Sequence, residues 1–247
     1  MSNEKSMSLV GHLEELRRVI IVSVISIIGF TIVIYGVFRE HLLQFLLMPM
    51  EQMDIPLIYI SMTEGFITQI KASFFAALII SLPIILWQLW SFILPALYQN
   101  EKKYLTLVVP GSFFLFILGV AFAYYMVFPL AVAFLIGISG EGLSPMISIG
   151  KYLSFLISFS LPFGIVFQLP LVILLLTKLG IVNAEFLSKN RKYALFAIVV
   201  ISAMLTPPDA ISLTLMAAPM LVLYEISIIF SKIFSKKTEN ESEDIGQ

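Results

Sequence analysis

The sequence contains no cysteine, only two histidines and few charges, since Asp, Glu, Lys and Arg together make up 13% of its 247 residues. The lack of cysteine excludes disulfides, thiolate metal sites and thiol catalysis. His12 and His41 lie before and after the first apolar run, and no His-Glu-x-x-His metal motif occurs. Walker-type and Gly-x-Gly-x-x-Gly phosphate loops are also absent. These absences predict a protein that is not an enzyme and that needs no metal and no cofactor.

Apolar residues are abundant instead. They make up 59% of the chain, and the mean hydropathy is +0.99, whereas a soluble domain has about 45–50% apolar and about 25% charged residues. The chain is therefore predicted to be an integral membrane protein. Four uncharged runs each have room for a spanning helix of about 20 residues: 19–38, 72–100, 105–140 and 152–177. Pro110 and Pro129 are predicted to mark the ends of the third span.

The last apolar region, residues 193–231, is interrupted by Thr-Pro-Pro-Asp at 206–209. Proline lacks a backbone donor and restricts the residue before it, so this motif predicts a break between helices at about 194–206 and 210–231. A helix of about 13 residues is about 20 Å long, well below a hydrocarbon core of about 30 Å. We expect an all-α protein with six spans, of which the fifth is short.

Lysine and arginine are distributed unevenly between alternate loops. Twelve of the 15 lie in the N-terminal segment, in the loops at 94–104 and 177–192, and in the tail. Because basic residues concentrate on the cytoplasmic side of membrane proteins, we place both termini in the cytoplasm of a bacterial plasma membrane. We expect one membrane domain over residues 1–231 and a polar, disordered cytoplasmic tail over 232–247. The net charge of −1 gives no indication of nucleic-acid binding.

The stretch HLEELRRVIIVSVISIIGF, which begins at His12, resembles an export signal, because the adjacent Arg17 and Arg18 precede an apolar run. The run is longer than a signal-peptide core, however, and no Ala-x-Ala site follows it. We interpret the arginines as an orientation anchor on an amphipathic interfacial helix at about 7–18. Glu14 can pair with Arg18 four residues later, whereas Glu15 lies closer to the apolar side of the helix.

Other polar residues are candidates for chemistry. The sequence GISG at 137–140 matches a short motif of intramembrane serine proteases, but Ser139 has no histidine on a neighbouring helix to act as its base. Gln168 and Glu225 lie within spans, where polar groups usually serve function or bind a buried partner. For Gln168 an interhelical hydrogen bond is an equally good explanation. Glu225 is either a carboxylate in a functional cavity or a satisfied buried acid.

Several longer motifs are similar to those of the TatC family, the membrane receptor subunits of the twin-arginine translocase. The resemblance covers residues from about 8 to 231. It includes HLEEL at 12–16 followed by Arg17, the stretch from Phe92 through PALYQNEKK, GVAFAYYMVFPLA from Gly119, and TEGFITQIKASF with Phe66. The TPPD motif, and Pro219 followed by Glu225, also fit the family pattern.

The resemblance implies that acidic positions on the cytoplasmic face recognise the arginine pair of a cargo signal peptide, since carboxylates bind guanidinium groups in bidentate geometry. The site residues implied are Glu15 and Glu101, with His12, Leu16, Arg17, Phe92, Pro95, Tyr98, Lys102 and Lys103. The resemblance also implies a concave, glove-like bundle with short fifth and sixth spans. Export of folded proteins would be driven by the proton-motive force.

The partners that the resemblance implies are single-span subunits of the TatA/TatB type, signal peptides of folded cargo, and further copies of the same chain. Residues implied to contact partners or to line the cavity are Pro49, Phe66, Tyr124, Gln168, Thr206, Pro207, Asp209, Pro219 and Glu225. Many family members have glutamate where this chain has Gln168, and an amide cannot carry a proton or pair with a cation.

A different class of function is a six-span secondary transporter of a small molecule. Such a protein would be expected to have broken helices, charges aligned near the midplane and two related halves. The sequence shows no internal repeat, and its charges concentrate on the cytoplasmic face. The transporter is therefore the alternative to the receptor.

Overall fold

The structure is a computed structural model that describes residues 9–93, 102–138, 145–178, 181–206 and 209–244. Within these ranges the side chains of residues 9, 10, 12, 93, 102–107, 178 and 234–244 are not described. The described chain is nearly all helical, as predicted. Its helices are α1 (Leu9–Val37), α2 (Arg39–Glu51), α3 (Glu64–Ile93), α4 (Lys102–Phe122), α5 (Phe128–Ile138), α6 (Ile149–Val166), α7 (Leu169–Lys178), α8 (Ala184–Lys189), α9 (Arg191–Leu205) and α10 (Ala210–Asp244).

Among the residues that the structure describes, five helical segments are long and apolar enough to cross a membrane. Four of them confirm the uncharged runs of the sequence: Leu13–Val37, Glu64–Phe92, Val108–Ile138 and Ile149–Thr177. The fifth is Ala210–Ile233, in the position predicted for the sixth span. The helix between them, α9, has 15 residues and is about 22 Å long at 1.5 Å per residue, so its predicted shortness is confirmed.

The prediction that Pro110 and Pro129 end the third span is wrong, because the span Val108–Ile138 is helical throughout. A π-helical turn at Ala123–Val127 joins α4 to α5, and the backbone N–H of Phe128 donates to the carbonyl of Ala123. This wider turn lies directly before Pro129, whose ring would clash with the preceding turn of a regular α-helix.

The prediction of a short sixth span is also corrected. The apolar part of α10, Ala210–Ile233, has 24 residues, because the sequence stays apolar beyond Glu225 to Ile233 without a helix-breaking residue. The helix itself continues to Asp244, into the segment that the sequence predicts to be a disordered tail.

Backbone contacts divide the chain into two compact units. The first contains residues 1–47 and 61–113, and its main contact is between α1 and α3. The rings of Tyr35 and Phe66 meet edge to face with centroids 6.2 Å apart. In the same unit the indole nitrogen of Trp90, on α3, donates a buried hydrogen bond of 2.9 Å to the hydroxyl of Ser112, on α4. This bond joins the two helices on either side of residues 94–101.

The second unit contains residues 48–60 and 114–247. Two short strands, β1 (Leu57–Ile58) and β2 (Ile147–Ser148), pair in parallel with Leu57 opposite Ile147. Phenylalanines of α6 and buried residues of α9 and α10 belong to one core cluster, which includes Phe159, Phe163 and Met216. A Cβ atom at Gly119 would lie 2.6 Å from the carbonyl oxygen of Phe163, so glycine is required for the close approach of α4 to α6.

Candidate functional site

The predicted acidic site begins on the first turns of α1. Glu14 is exposed and Glu15 is half-buried, while the neighbouring Leu16, Arg17 and Arg18 are exposed. Glu14, Glu15, Arg17 and Arg18 line one open depression along the helix. Among the side chains that the structure describes, Glu14 and Arg18 do not form the salt bridge that their spacing allows. The carboxylates are thus available to a ligand on the helix surface.

Helix α1 is continuous from Leu9 to Val37, so the predicted interfacial helix and the first span are one element. The contact of Tyr35 with Phe66 joins the end of α1 to the start of α3, and the two helices pack against each other along their lengths. They are therefore antiparallel, and the start of α1 lies at the same end as the last turn of α3. Glu15 and the half-buried Phe92 accordingly lie toward one end of this pair.

The second half of the predicted acidic site falls outside the described residues. Pro95, Tyr98 and Glu101 lie in the gap at 94–101, and the structure describes the backbone but not the side chains of His12, Lys102 and Lys103. The pairing of Glu15 with Glu101 therefore stays a prediction.

Two predicted partner residues lie near the connection between α1 and α3. Pro49 is within α2, two residues before the end of that helix at Glu51. Phe66 lies in the first turn of α3 and is exposed apart from its contact with Tyr35. Arg39 also packs over the ring of Tyr35, with its guanidinium carbon 5.5 Å from the ring centroid. These contacts form an aromatic and cationic edge at the end of the helix pair.

Tyr124 and Gln168 both lie where a helix departs from regular α geometry. Tyr124 is buried in the π-helical turn, and its ring meets Tyr125 edge to face at 4.8 Å. Gln168 is half-buried at the break between α6 and α7, where its backbone carbonyl accepts bonds from Leu171 and Val172. The break is explained by Pro170, which lacks the donor that would continue the helix. Gln168 is therefore at a kink within a membrane span.

The Thr206–Asp209 motif ends one helix and starts the next. The hydroxyl of the buried Thr206 donates to the carbonyl of Ser202 at 2.8 Å, and Asp209 Oδ1 accepts from the backbone N–H of Ser212 at 2.6 Å. Asp209 is thus the N-cap of α10, a role that carboxylates perform well. Pro207 lies outside the described residues, and Pro219 lies within α10 one residue before the buried Met220.

Glu225 is paired, as predicted for a satisfied acid, but it is not buried. Its carboxylate accepts a hydrogen bond of 2.8 Å from Arg191 Nη2, and the two side chains are 48% and 53% exposed, respectively. The acid is therefore satisfied but not buried, and its role in a functional cavity stays a prediction. Sequence reasoning counted Arg191 only as an orientation signal and missed its pairing, because residues 34 positions apart carry no local signal of contact.

Two other kinds of site, a serine protease site and a metal site, can be compared with the described residues. Ser139 of the GISG motif lies outside them. Within the ranges that the structure describes, no group of three or more His, Cys, Asp or Glu residues is placed to hold a metal ion. The described site is thus an acidic helix surface in the first unit and a set of helix ends and kinks in the second.

Comparison with known proteins decides the family. The sequence model of the family described as "Sec-independent protein translocase protein (TatC)" matches residues 11–219. The chain belongs to the TatC family. It is 46% identical to the TatC protein of Carboxydothermus hydrogenoformans over 235 residues, which cover 95% of this chain and 96% of that protein. It is 38% identical to TatC of Escherichia coli K12 over 245 residues, covering 98% and 95% of the two chains.

The TatC fold is also confirmed by solved structures. A crystal structure titled "Twin Arginine Translocase Receptor- TatC" aligns with a TM-score of 0.81 at 38% identity, covering 90% of this chain and 98% of that one. A second, of the same receptor in DDM, aligns with a TM-score of 0.82. The chain is therefore a bacterial membrane protein and a TatC component of the Sec-independent protein translocase. The relatives are named as translocase components, and a small-molecule transporter is not favoured.

Proposed function

We propose that this chain is the receptor subunit of a twin-arginine translocase and binds the arginine pair of cargo signal peptides at the cytoplasmic face through Glu15 and Glu101. The observation that carries the proposal is the acidic surface at the start of α1, where Glu15 is half-buried and makes no ion pair with another described side chain. A carboxylate that is partly shielded from water binds a guanidinium group more strongly than a fully solvated one.

The proposed site includes further residues besides this carboxylate. Leu16 and Arg17 are its neighbours on α1, and Phe92 lies on α3 toward the same end of the antiparallel pair. His12, Pro95, Tyr98, Lys102 and Lys103 complete the proposed set. The exposed apolar residues that follow on α1, among them Ile21, Val24 and Ile25, offer a surface for the apolar part of a signal peptide.

Photo-crosslinking of a twin-arginine signal peptide to membranes containing the chain tests this site. Because a hydrogen bond to a charged group contributes about 1.5–3 kcal/mol, Glu15→Gln or Glu101→Gln is expected to weaken binding roughly tenfold or more. Glu14→Gln is the matched control, since Glu14 is one position away and fully on the exposed face. A signal peptide with two lysines should discriminate less between the variants. Equal binding by all three variants would refute the assignment.

We further propose that single-span subunits of the TatA/TatB type pack on α9 and α10. Helix α9 exposes large apolar side chains, with Met204 81% and Phe196 70% exposed, and it is shorter than the hydrocarbon core. A short helix favours local bilayer thinning or association with other helices. Pro49, Phe66, Tyr124, Gln168, Thr206, Pro207, Asp209, Pro219 and Glu225 are the proposed partner and cavity residues.

Lengthening α9 tests the role of its short span. Four leucines inserted after Ile198 add about 6 Å and approach the thickness of the core. We expect export of a folded reporter to fall while signal-peptide crosslinking stays unchanged. Four leucines inserted near the middle of α1, which already spans the bilayer, are the control. Unchanged export from the α9 variant would reject the mismatch hypothesis.

The cytoplasmic location of both termini is part of the same proposal and rests on the distribution of lysine and arginine. The natural absence of cysteine allows single-cysteine labelling without a background. Met62→Cys and Glu185→Cys both replace exposed residues in alternate loops. A membrane-impermeant maleimide added outside the cell should label Met62→Cys only. Labelling of Glu185→Cys instead would show that the topology is the opposite of the proposed one.

A further inference from the structure

An apolar cavity of about 200 Å³ lies in the second unit, where the end of α2, helix α5, strand β2 and the start of α6 meet. Its lining includes Met50, Val132, Leu135, Ile147 and Phe155. The cavity is open on one side. It is larger than the apolar cavity of 150 Å³ that in another protein stays dry and binds benzene. It therefore has room for a stretch of hydrocarbon chain.

The helices around the cavity indicate which part of the bilayer it faces. Helix α5 ends the apolar segment Val108–Ile138, and α6 begins the apolar segment Ile149–Thr177. The cavity is thus at the end of two candidate membrane spans, near the boundary between hydrocarbon and headgroups. It is too small for a further helix, which has a diameter of about 10–12 Å with its side chains. A single acyl chain fits this space better than a protein segment does.

The wall of the cavity contains one cation, Lys151. Lys151 is exposed in the first turn of α6 and is the one charged residue in the segment 149–177. The backbone N–H of Lys151 donates a hydrogen bond of 3.3 Å to the hydroxyl of Ser148, and this bond fixes the turn. Among the carboxylates whose side chains are described, none lies within salt-bridge distance of Lys151. A lysine at a span end extends its amine toward the headgroups.

We propose that this cavity is a binding site for an anionic phospholipid, with one acyl chain against Val132, Leu135 and Phe155 and the headgroup phosphate on Lys151. The apolar lining matches the acyl chain, and Lys151, the cation of the lining, matches a lipid with net negative charge. The site does not depend on the proposed receptor function.

Spin-labelled lipids measure this binding directly on the full chain in nanodiscs. Phosphatidylglycerol and phosphatidylcholine, each labelled on the acyl chain, report the motionally restricted fraction by electron paramagnetic resonance. The wild-type chain should restrict phosphatidylglycerol more than phosphatidylcholine. One lysine near an anionic surface contributes an attraction that corresponds to about a fivefold change in affinity. Lys151→Gln should therefore lower the preference for phosphatidylglycerol over phosphatidylcholine by about fivefold. Lys151→Arg should retain it.

Two further variants distinguish a site from general electrostatic attraction. Lys232→Gln removes an exposed lysine near the end of another span, outside the cavity, and should leave the preference unchanged. Leu135→Phe fills the cavity and should lower restriction of both lipids. If Lys151→Gln retains the full preference, or if Lys232→Gln lowers it equally, the proposal is overturned. Unchanged restriction of both lipids by Leu135→Phe would also overturn it.

Discussion

Arg191 Nη2 donates a hydrogen bond of 2.8 Å to Glu225 Oε2, and this ion pair joins the first residue of α9 to the middle of α10. The opposite end of the same helix pair is closed by Thr206 and Asp209, which end α9 and cap α10. Between them the hydroxyl of Ser202 contacts the sulfur of Met220 at 3.5 Å. The short helix is thus attached to α10 at its first residue and over its last turn.

The first prediction concerns this ion pair. Because both side chains are about half exposed, Glu225→Gln or Arg191→Gln should lower the free energy of unfolding by less than about 1 kcal/mol. Thermal unfolding in detergent at low and high salt measures this, and the difference should shrink in salt. The exchanged pair, Arg191→Glu with Glu225→Arg, should recover most of the loss. A loss of several kcal/mol in the single variants would show that the pair is shielded from water.

Asp209 as the N-cap of α10 gives the second prediction. Asp209→Ala removes the acceptor for the backbone N–H of Ser212 and should lower the free energy of unfolding by about 1 kcal/mol. Asp209→Asn keeps an acceptor in the same position and should cost only a small part of that. Chemical denaturation compares the two. If Asn costs as much as Ala, the negative charge matters and the hydrogen bond does not.

The third prediction compares glycines. A Cβ at Gly119 would lie 2.6 Å from the backbone oxygen of Phe163, which cannot move away like a side chain. Gly119→Ala should therefore cost about 1–3 kcal/mol through overpacking. Gly29→Ala is the matched control, because nothing lies within 4 Å of the new Cβ. Since alanine favours a helix over glycine by up to about 1 kcal/mol, the control should be neutral or stabilising.

Gly164 extends this comparison to a side-chain contact. Its added Cβ would meet the ring of Phe116 at 2.6 Å, which is as close as the contact at Gly119. A ring can shift where a backbone oxygen cannot, so Gly164→Ala should cost less than Gly119→Ala. Melting temperatures of the two variants measured side by side decide this, and the reverse order would contradict the close packing of α4 on α6.

The buried bond between Trp90 and Ser112 is the subject of the fourth prediction. Ser112→Ala leaves the indole N–H of Trp90 without this acceptor in a buried position and should cost about 1–3 kcal/mol. The control is Ser158→Ala, because the exposed hydroxyl of Ser158 bonds the carbonyl of Ser154 in its own helix. The loss of this bond should cost no more than about 0.5 kcal/mol. Unfolding followed by tryptophan fluorescence measures both. Equal costs would mean that the bond between α3 and α4 contributes nothing beyond local helix contacts.

The spans were predictable from the sequence because their signal is local. An uncharged run of 20 residues has one stable arrangement in lipid, and Pro207 and Pro208 break the helix wherever the rest of the chain packs. The acidic start of α1 was predictable for the same reason. The continuity of the third span through Pro129 was not predictable, since it depends on the wider turn at Ala123–Val127 just before this proline. The pairing of Arg191 with Glu225 depends on how two helices pack, which no spacing in the sequence encodes.

The π-helical turn at Ala123–Val127 also fixes the angular phase of everything that follows it in the third span. If the same residues adopted regular α geometry, the extra residue that the π turn accommodates would rotate α5 by about 100° relative to α4. Val132 and Leu135 would then turn away from the cavity while remaining apolar and within the same span. The number of residues in this turn, more than their hydrophobicity, determines which side of the helix each later residue occupies.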